Sequence, residues 1–241
     1  ENKMGQDHIS RLAAPKTWMI KRKSTKWITR PTPGPHSLNL SMPLSIVLRD
    51  ILEYAKTKKE IKKILNQKNV LIDKVPRTEY KFPVGFMDVL EIPSLNEYYR
   101  IVFNKKGILS LMKITKEESN LKLLKIIRKC MIKKGKLQLT FHDGRTIIME
   151  KFEGNVGDTV LFNLTDKTIS KFLPLHKDYL VYLNGGSHIG NICKVKDVLR
   201  SEDLQKPKVA VEINGREYLT LTDYAFVVGK DKPDLSLEEK K

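Results

Sequence analysis

Apolar residues recur at helical spacing from Leu44 through Val47, Leu48, Ile51 and Leu52 to Ala55, behind Ser41 and Pro43, which predicts an amphipathic helix. Thr57-Lys58-Lys59-Glu60 starts a second one. The Thr hydroxyl and the Glu carboxylate can each satisfy a free backbone amide, forming a capping box, while Ile61, Ile64 and Leu65 supply the buried stripe. Its outward face is Lys58, Lys59, Lys62, Lys63 and Lys68, almost without opposing charge. Period two then takes over. Residues 70–75 read as a short strand with a turn, and Tyr99, Ile101 and Phe103 share one face of a strand that turns at Asn104-Lys105-Lys106-Gly107. Thr115-Lys116-Glu117-Glu118 caps a short helix, and residues 121–132 read as a helical start passing into a strand. Strands at 137–141 and 145–149 flank His142-Asp143-Gly144, where Asp-Gly predicts a two-residue hairpin turn. Further hairpins are predicted over 157–173, over 179–195 across a glycine-rich loop, and over 209–221 through Asn214-Gly215, with 226–230 closing the ordered chain. The result is an α+β, multidomain protein of several small cores.

The first forty residues carry no such period. Arg11, Lys16, Lys21, Arg22, Lys23, Lys26 and Arg30 stand there against Glu1 and Asp7, together with Trp18 and Trp27, the only tryptophans of the chain. Prolines 15, 31, 33 and 35 remove backbone donors and fix φ, so an extended, kinked arm over residues 1–40 is expected, ordered only on a partner. A formal net charge of +17 over 241 residues points to a polyanion. Lys and Arg neutralise phosphates and indoles stack on bases, so nucleic acid is the natural template. No apolar run approaches the roughly 20 residues that span a bilayer, and no signal peptide precedes the arm, so no membrane partner is expected. Cys130 and Cys193 lie too far apart to read as a metal pair, and His8, His36, His142, His176 and His188 lack ligand spacing, so neither metal nor cofactor is expected.

His8, Arg11-Leu12-Ala13-Ala14-Pro15, Trp18-Met19, Arg30-Pro31 and Gly34-Pro35-His36 form a pattern that resembles the N-terminal signature of the small-subunit ribosomal protein S4e family of eukaryotes and archaea. Ser10 departs from the usual Lys. The helix pair and the strands after it resemble the S4-type RNA-binding module, and Ile72-Asp73-Lys74-Val75, Arg77-Thr78 and Gly85-Phe86-Met87-Asp88-Val89 match the family, apart from a Gly usually inserted after the Asp. Gly185, Gly186 and Gly190 sit in a loop resembling a KOW motif of an SH3-like barrel, with His188, Asn191 and Cys193 departing from its usual residues. The glycines would let that loop lie close to an RNA backbone.

The resemblance implies an arm over 1–40, an S4-type RNA-binding domain over 41–104, a central β-rich domain over 105–175, a KOW/SH3-like domain over 176–230 and a tail over 231–241. It implies a structural constituent of the small ribosomal subunit that supports translation, cytoplasmic on the ribosome and assembled in the nucleus or nucleolus. Its partners would be small-subunit rRNA, in the 5′ region, and neighbouring small-subunit proteins, with no small-molecule substrate. The expected RNA-binding residues are Arg11, Lys16, Trp18, Lys21, Arg22, Lys26, Arg30 and His36 of the arm, with Lys58, Lys59, Lys62, Lys63, Arg77 and Lys81 of the module.

A free regulatory or elongation factor built from the same modules is the alternative of a different class. Enzymatic readings fare worse. A pseudouridine synthase can carry an S4-type module, and Asp143 with Arg145 is the only tempting acid, but a hairpin turn explains that pair better. Gly185-Gly186 and Gly190 lack the phosphate-loop spacing and lead into a strand. No catalytic residue is assigned.

Overall fold

The structure is a computed structural model that describes residues 7–199, 206–213 and 215–237. The chain divides into two compact units, residues 1–102 with 108–119, and residues 103–107 with 120–241.

In the first unit the arm folds on the unit itself. Strand β1 (His8–Ser10) pairs antiparallel with β2 (Trp27–Thr29), Ile9 opposite Ile28, and a 3-10 turn at Arg11–Ala13 leads into the connection between them. Buried Ala14, Trp18 and Ile28 give this segment a core side, which a chain waiting for a partner would lack. Beyond it come β3 (Ser41–Pro43), helix α1 (Leu44–Ile46) and a π-helical turn at Val47–Ile51. The predicted helix therefore ends four residues early. Leu52 N–H donates to the Val47 carbonyl, the wider spacing of a π turn, and Glu53 then takes a φ of +56°. Helix α2 (Lys58–Asn66) has the capping box read from sequence, with Thr57 Oγ accepting from Glu60 N–H at 3.3 Å and the Glu60 carboxylate accepting in return from Thr57 N–H.

Strands β4 (Leu71–Ile72), β5 (Val75–Pro76), β6 (Pro83–Gly85), β7 (Val89–Ile92), β8 (Glu97–Phe103) and β9 (Leu109–Lys113) complete the unit. β3 pairs with β6, while the others form a sheet of order β5-β4-β7-β8-β9. The hairpin that a boundary at residue 104 would cut thus belongs to this five-stranded sheet, apart from its loop. Asp73 and Lys74 form the two-residue turn between β4 and β5 with φ of 50° and 65°, so two L-residues take left-handed dihedrals where a Gly would do so freely. Asp73 Oδ1 accepts from Val89 N–H at 2.9 Å, which holds the turn against β7.

The second unit carries two five-stranded antiparallel sheets. The first comprises β10 (Leu121–Met131), β11 (Leu137–Phe141), β12 (Thr146–Met149), β13 (Thr159–Asn163) and β14 (Thr168–Leu173), in the order β12-β11-β10-β13-β14. β10 is strand throughout, which corrects the helical start. Residues Leu121 to Lys125 pair with β13 and residues Arg128 to Met131 with β11, so two ladders override an ambiguous local period. The second sheet comprises β15 (Leu180–Leu183), β16 (Ile192–Leu199), β17 (Lys208–Ile213), β18 (Arg216–Leu221) and β19 (Ala225–Gly229), in the order β18-β17-β16-β15-β19. Asn214, predicted in the turn between β17 and β18, lies outside the described residues. The chain stays packed past β19, with Leu235 and Leu237 buried and Lys171 Nζ within 2.7 Å of Asp234.

Candidate nucleic-acid interface

The signature residues of the arm turn inward. Trp18 is 2% exposed, and its Nε1 donates to the Ser41 carbonyl at 2.6 Å, so it anchors the arm to β3 and is not free to stack on a base. Arg11 is 7% exposed, with one guanidinium nitrogen donating to the Lys21 carbonyl. Arg22 donates to the carbonyls of Ala14 and Pro15 at 2.9 and 2.7 Å, closing the loop from within. His36 faces Asp88 at 3.0 Å with both side chains buried, and Asp88 also accepts from Gly85 N–H. A Cβ on Gly85 would meet the His36 ring at 2.4 Å, and one on Gly34 would meet Pro83 at 2.4 Å, so the Gly34-Pro35-His36 run is a clamp on β6. Arg11, Trp18 and His36 thus turn their side chains into the fold, while Arg22, at intermediate exposure, is engaged by carbonyls of the arm. Their polar atoms satisfy the arm's own backbone or Asp88.

What remains outward on the arm is Lys16, Lys21, Lys26 and Arg30, with Lys23 and the half-exposed Trp27. Lys26 Nζ lies 5.3 Å above the Trp27 ring. On α2, burial of Ile61 and Leu65 turns Lys58, Lys59, Lys62 and Lys63 to solvent. Glu60, the single acid of that helix, has its carboxylate turned back onto the backbone amides of Lys56 and Thr57, which hold its pKa below the usual carboxylate range. The lysine face is left without an acid of its own helix to neutralise it.

The structure adds a centre to this face that sequence reasoning missed. Tyr80 is buried at 8% exposure, and the ammonium groups of Lys58, Lys62 and Lys81 stand 4.5, 5.4 and 5.6 Å from its ring. The negative ring face lets three like charges gather. Lys81 also pairs with Asp7, which holds that carboxyl below its usual value. Arg77 stacks 4.3 Å over Phe82. The sequence signal was Tyr80 itself, an aromatic beside a basic residue following a lysine-rich helix.

Between the arm and the helices lies a cavity of about 820 Å³, lined among others by Arg11, Met19, Lys21, Trp27, Ser45 and Arg49. It draws on segments more than thirty residues apart, so no local pattern announced it.

In the second unit the Asp143 and Gly185–Gly190 regions serve the fold. Gly144 alone takes a positive φ, +77°, and Phe141 N–H pairs with the Arg145 carbonyl, so the loop is the three residues His142, Asp143 and Gly144, not a two-residue turn. Asp143 is 5% exposed, 3.1 Å from the fully buried Lys122 ammonium and 3.0 Å from Arg145 Nε. Burial alone would raise its pKa; Lys122, with His142 and Arg145, outweighs that and holds it below the usual value. Gly190 has a φ of +81°, and a Cβ there would meet the Asn104 carbonyl oxygen at 2.4 Å, so its close approach is to the chain's own backbone. Cys193 is buried, which pushes its thiol up to about 12, and Asn191 donates to the His188 carbonyl.

Three family models match the chain: ribosomal family S4e over residues 95–169, the RS4NT domain over 3–39 and the S4 domain over 42–90. The small ribosomal subunit protein eS4 of Methanothermobacter thermautotrophicus is 41% identical over 231 residues, 95% of each chain. The same protein of Methanosphaera stadtmanae is 40% identical over 236 residues, 98% of each chain. Among solved structures, the crystal structure of the 30S ribosomal protein S4e from Thermoplasma acidophilum matches with a TM-score of 0.70 and 32% identity, covering 83% of this chain and 99% of that one.

Proposed function

The chain belongs to the ribosomal S4e family, and from that premise we propose that the outward lysines of its first unit dock it on the backbone of small-subunit rRNA. It is a structural constituent of the small ribosomal subunit, not an enzyme, and it supports translation through an RNA-binding S4 domain. The reading as a free elongation or regulatory factor is not favoured beside relatives of this identity and coverage. Its partners are rRNA and other proteins of that subunit, and its place is the ribosome.

The finer assignment rests on the face of α2. Lys58, Lys59, Lys62 and Lys63 are exposed while the one acid of the helix is engaged in its cap, so phosphates meet an unopposed positive surface. Lys16, Lys21, Lys26 and Arg30 extend this surface along the arm, and Arg77 and Lys81 border it. Arm and S4-type domain, over 1–40 and 41–104, then act as one RNA-facing body. The central region over 105–175 and an SH3-like KOW barrel over 176–230 form the other part, the barrel reading supported by the antiparallel order β18-β17-β16-β15-β19 around a glycine-bearing loop. A 5′ rRNA site, and nuclear or nucleolar assembly in a nucleated cell, rest on the family resemblance. Sedimentation tests the assignment. Wild-type protein should travel with small subunits through a moderate salt wash, and protein with Lys58, Lys59, Lys62 and Lys63 changed to Glu should be lost from them; equal retention of both would overturn the docking face.

A further inference from the structure

Strand β10 is buried along its first half and exposed along its second. Lys122 to Ile126 are buried, whereas Ile127, Arg128, Lys129 and Met131 are exposed, because the ladder to β13 ends at Ile126, whose N–H and carbonyl bond Asp158 and Gly157. A register shift at Ile127 bends the strand there, and beyond it β10, β11 and β12 continue as a three-stranded tongue. Its tip is a 3-10 turn at Lys133–Gly135, closed by Ile132 N–H on the Lys136 carbonyl at 2.8 Å. We propose that this tongue is a second RNA-binding element, which holds the sugar-phosphate backbone of small-subunit rRNA from the second unit, separately from the α2 face of the first.

Charge selects the partner. No Asp or Glu occurs anywhere in residues 126–141, and Arg128, Lys133 and Lys136 are exposed with no carboxylate paired to them among the described residues. Elsewhere in the unit Lys171, Lys194, Lys196 and Lys206 each hold a carboxylate, at 2.7, 2.9, 2.8 and 2.9 Å. Lys129 is engaged too, its ammonium donating to the Phe152 and Gly154 carbonyls, so it braces the tongue from within. The register adds a polar face. Arg128, Thr140 and Thr146 stand side by side across the three strands, and Cys130, Gln138 and Ile148 form the next row. A guanidinium beside two hydroxyls and an amide offers charge and hydrogen bonds to phosphates and 2′-hydroxyls, the groups by which structured RNA is held without reading its bases. A protein partner would call for an apolar centre. The exposed apolar side chains are scattered instead, Ile127 at the register shift, Met131 on the face of Leu137 and Ile148 on the face of Arg128.

The full wild-type chain is bound to protein-free small-subunit rRNA, and lysine acetylation read by mass spectrometry compares the free and bound states. Lys133 and Lys136 should lose most of their reactivity on the RNA. In parallel, the surface variant Arg128→Gln, Lys133→Gln, Lys136→Gln should keep the wild-type melting temperature and lower the log–log salt slope of binding by about 2 to 3 units, at about 0.7 per phosphate contact on single strands and about 0.9 on a duplex. An unchanged slope, or lysines as reactive on the RNA as in the free chain, would overturn the proposal. Protection that appears only in assembled subunits would overturn it as well, since the tongue would then meet a protein. Lys58, Lys59, Lys62 and Lys63 are read in the same spectra: protection there beside a bare tongue refutes the second contact alone, and a protected tongue beside bare α2 lysines refutes the α2 docking face alone.

Discussion

Trp18 Nε1 donates to the Ser41 main-chain oxygen across 2.6 Å, and this bond is where an arm that looks disordered from its composition becomes part of a core. Around it the polar side chains of the arm find their partners within the fold. Arg22 is held by the carbonyls of Ala14 and Pro15, and His36 by the Asp88 carboxylate. Prolines stop ladders from forming but do not stop packing, and the buried indole supplies the apolar area that offsets the entropy of ordering the segment.

Trp18→Ala should therefore destabilise the chain by about 3–5 kcal/mol, the range for removing a large buried aromatic, and Trp18→Phe by about 1–3 kcal/mol for the acceptor it leaves unpaired. Denaturant unfolding followed by a probe in the first unit measures both. Loss of RNA binding with unchanged stability would return Trp18 to the role of a base platform.

Reversing Lys58, Lys59, Lys62 and Lys63 to Glu should flatten the dependence of rRNA-fragment binding on salt. Each phosphate that is no longer neutralised takes about 0.7 units off the log–log slope on single strands and about 0.9 on a duplex. Titrations between low and moderate salt read this directly, and an unchanged slope means that these lysines are only solvated.

Local chemistry was legible in the sequence. The capping box at Thr57 and Glu60, the turn after Asn104 and most hairpins rest on residues within a few positions of one another, where dihedral preference and short-range hydrogen bonds decide. The candidate face on α2 was legible for the same reason. The partners of Trp18, His36 and Asp143, namely Ser41, Asp88 and Lys122, lie 21 to 52 residues away, and no local pattern encodes which polar atom a folded chain will present there. The period of residues 121–132 failed likewise, since Lys122 and Lys125 mimic the polar face of a helix while both are buried in a strand.

Asp143→Asn should destabilise the second unit by about 3–5 kcal/mol near neutral pH, because it leaves the fully buried Lys122 ammonium without its counter-charge. The acid side gives the sign. The folded state depresses this carboxyl below its ordinary 3.8, so its contribution is present above that value and is lost as pH falls through the lower folded pKa. Stability curves of wild type and variant should accordingly draw together as pH falls below 3.8 and meet only once it is below the folded pKa. Parallel curves down to pH 2 would exclude the ion pair as the source.

Lys125 sets the opposite limit. Its ammonium donates to the carbonyls of Thr222, Asp223 and Ala225 at 2.6, 3.0 and 2.7 Å, yet burial lowers its pKa from 10.5 to about 8. Below pH 8 the group is charged in both folded and unfolded chains, and the folded state bears the cost of the buried charge. Between about 8 and 10.5 the unfolded chain holds more of this proton than the folded one, so this group's contribution to stability rises with pH across that window and levels off above it. The rise amounts to roughly 3 kcal/mol, at 1.36 kcal/mol per pKa unit. Lys125→Met removes the titrating group while keeping the length of the side chain, so the difference between wild-type and variant stability should change by that amount between pH 8 and pH 10.5. A difference that stays flat across the window would mean that the three carbonyls hold the proton on Lys125 throughout, and that burial does not govern its charge.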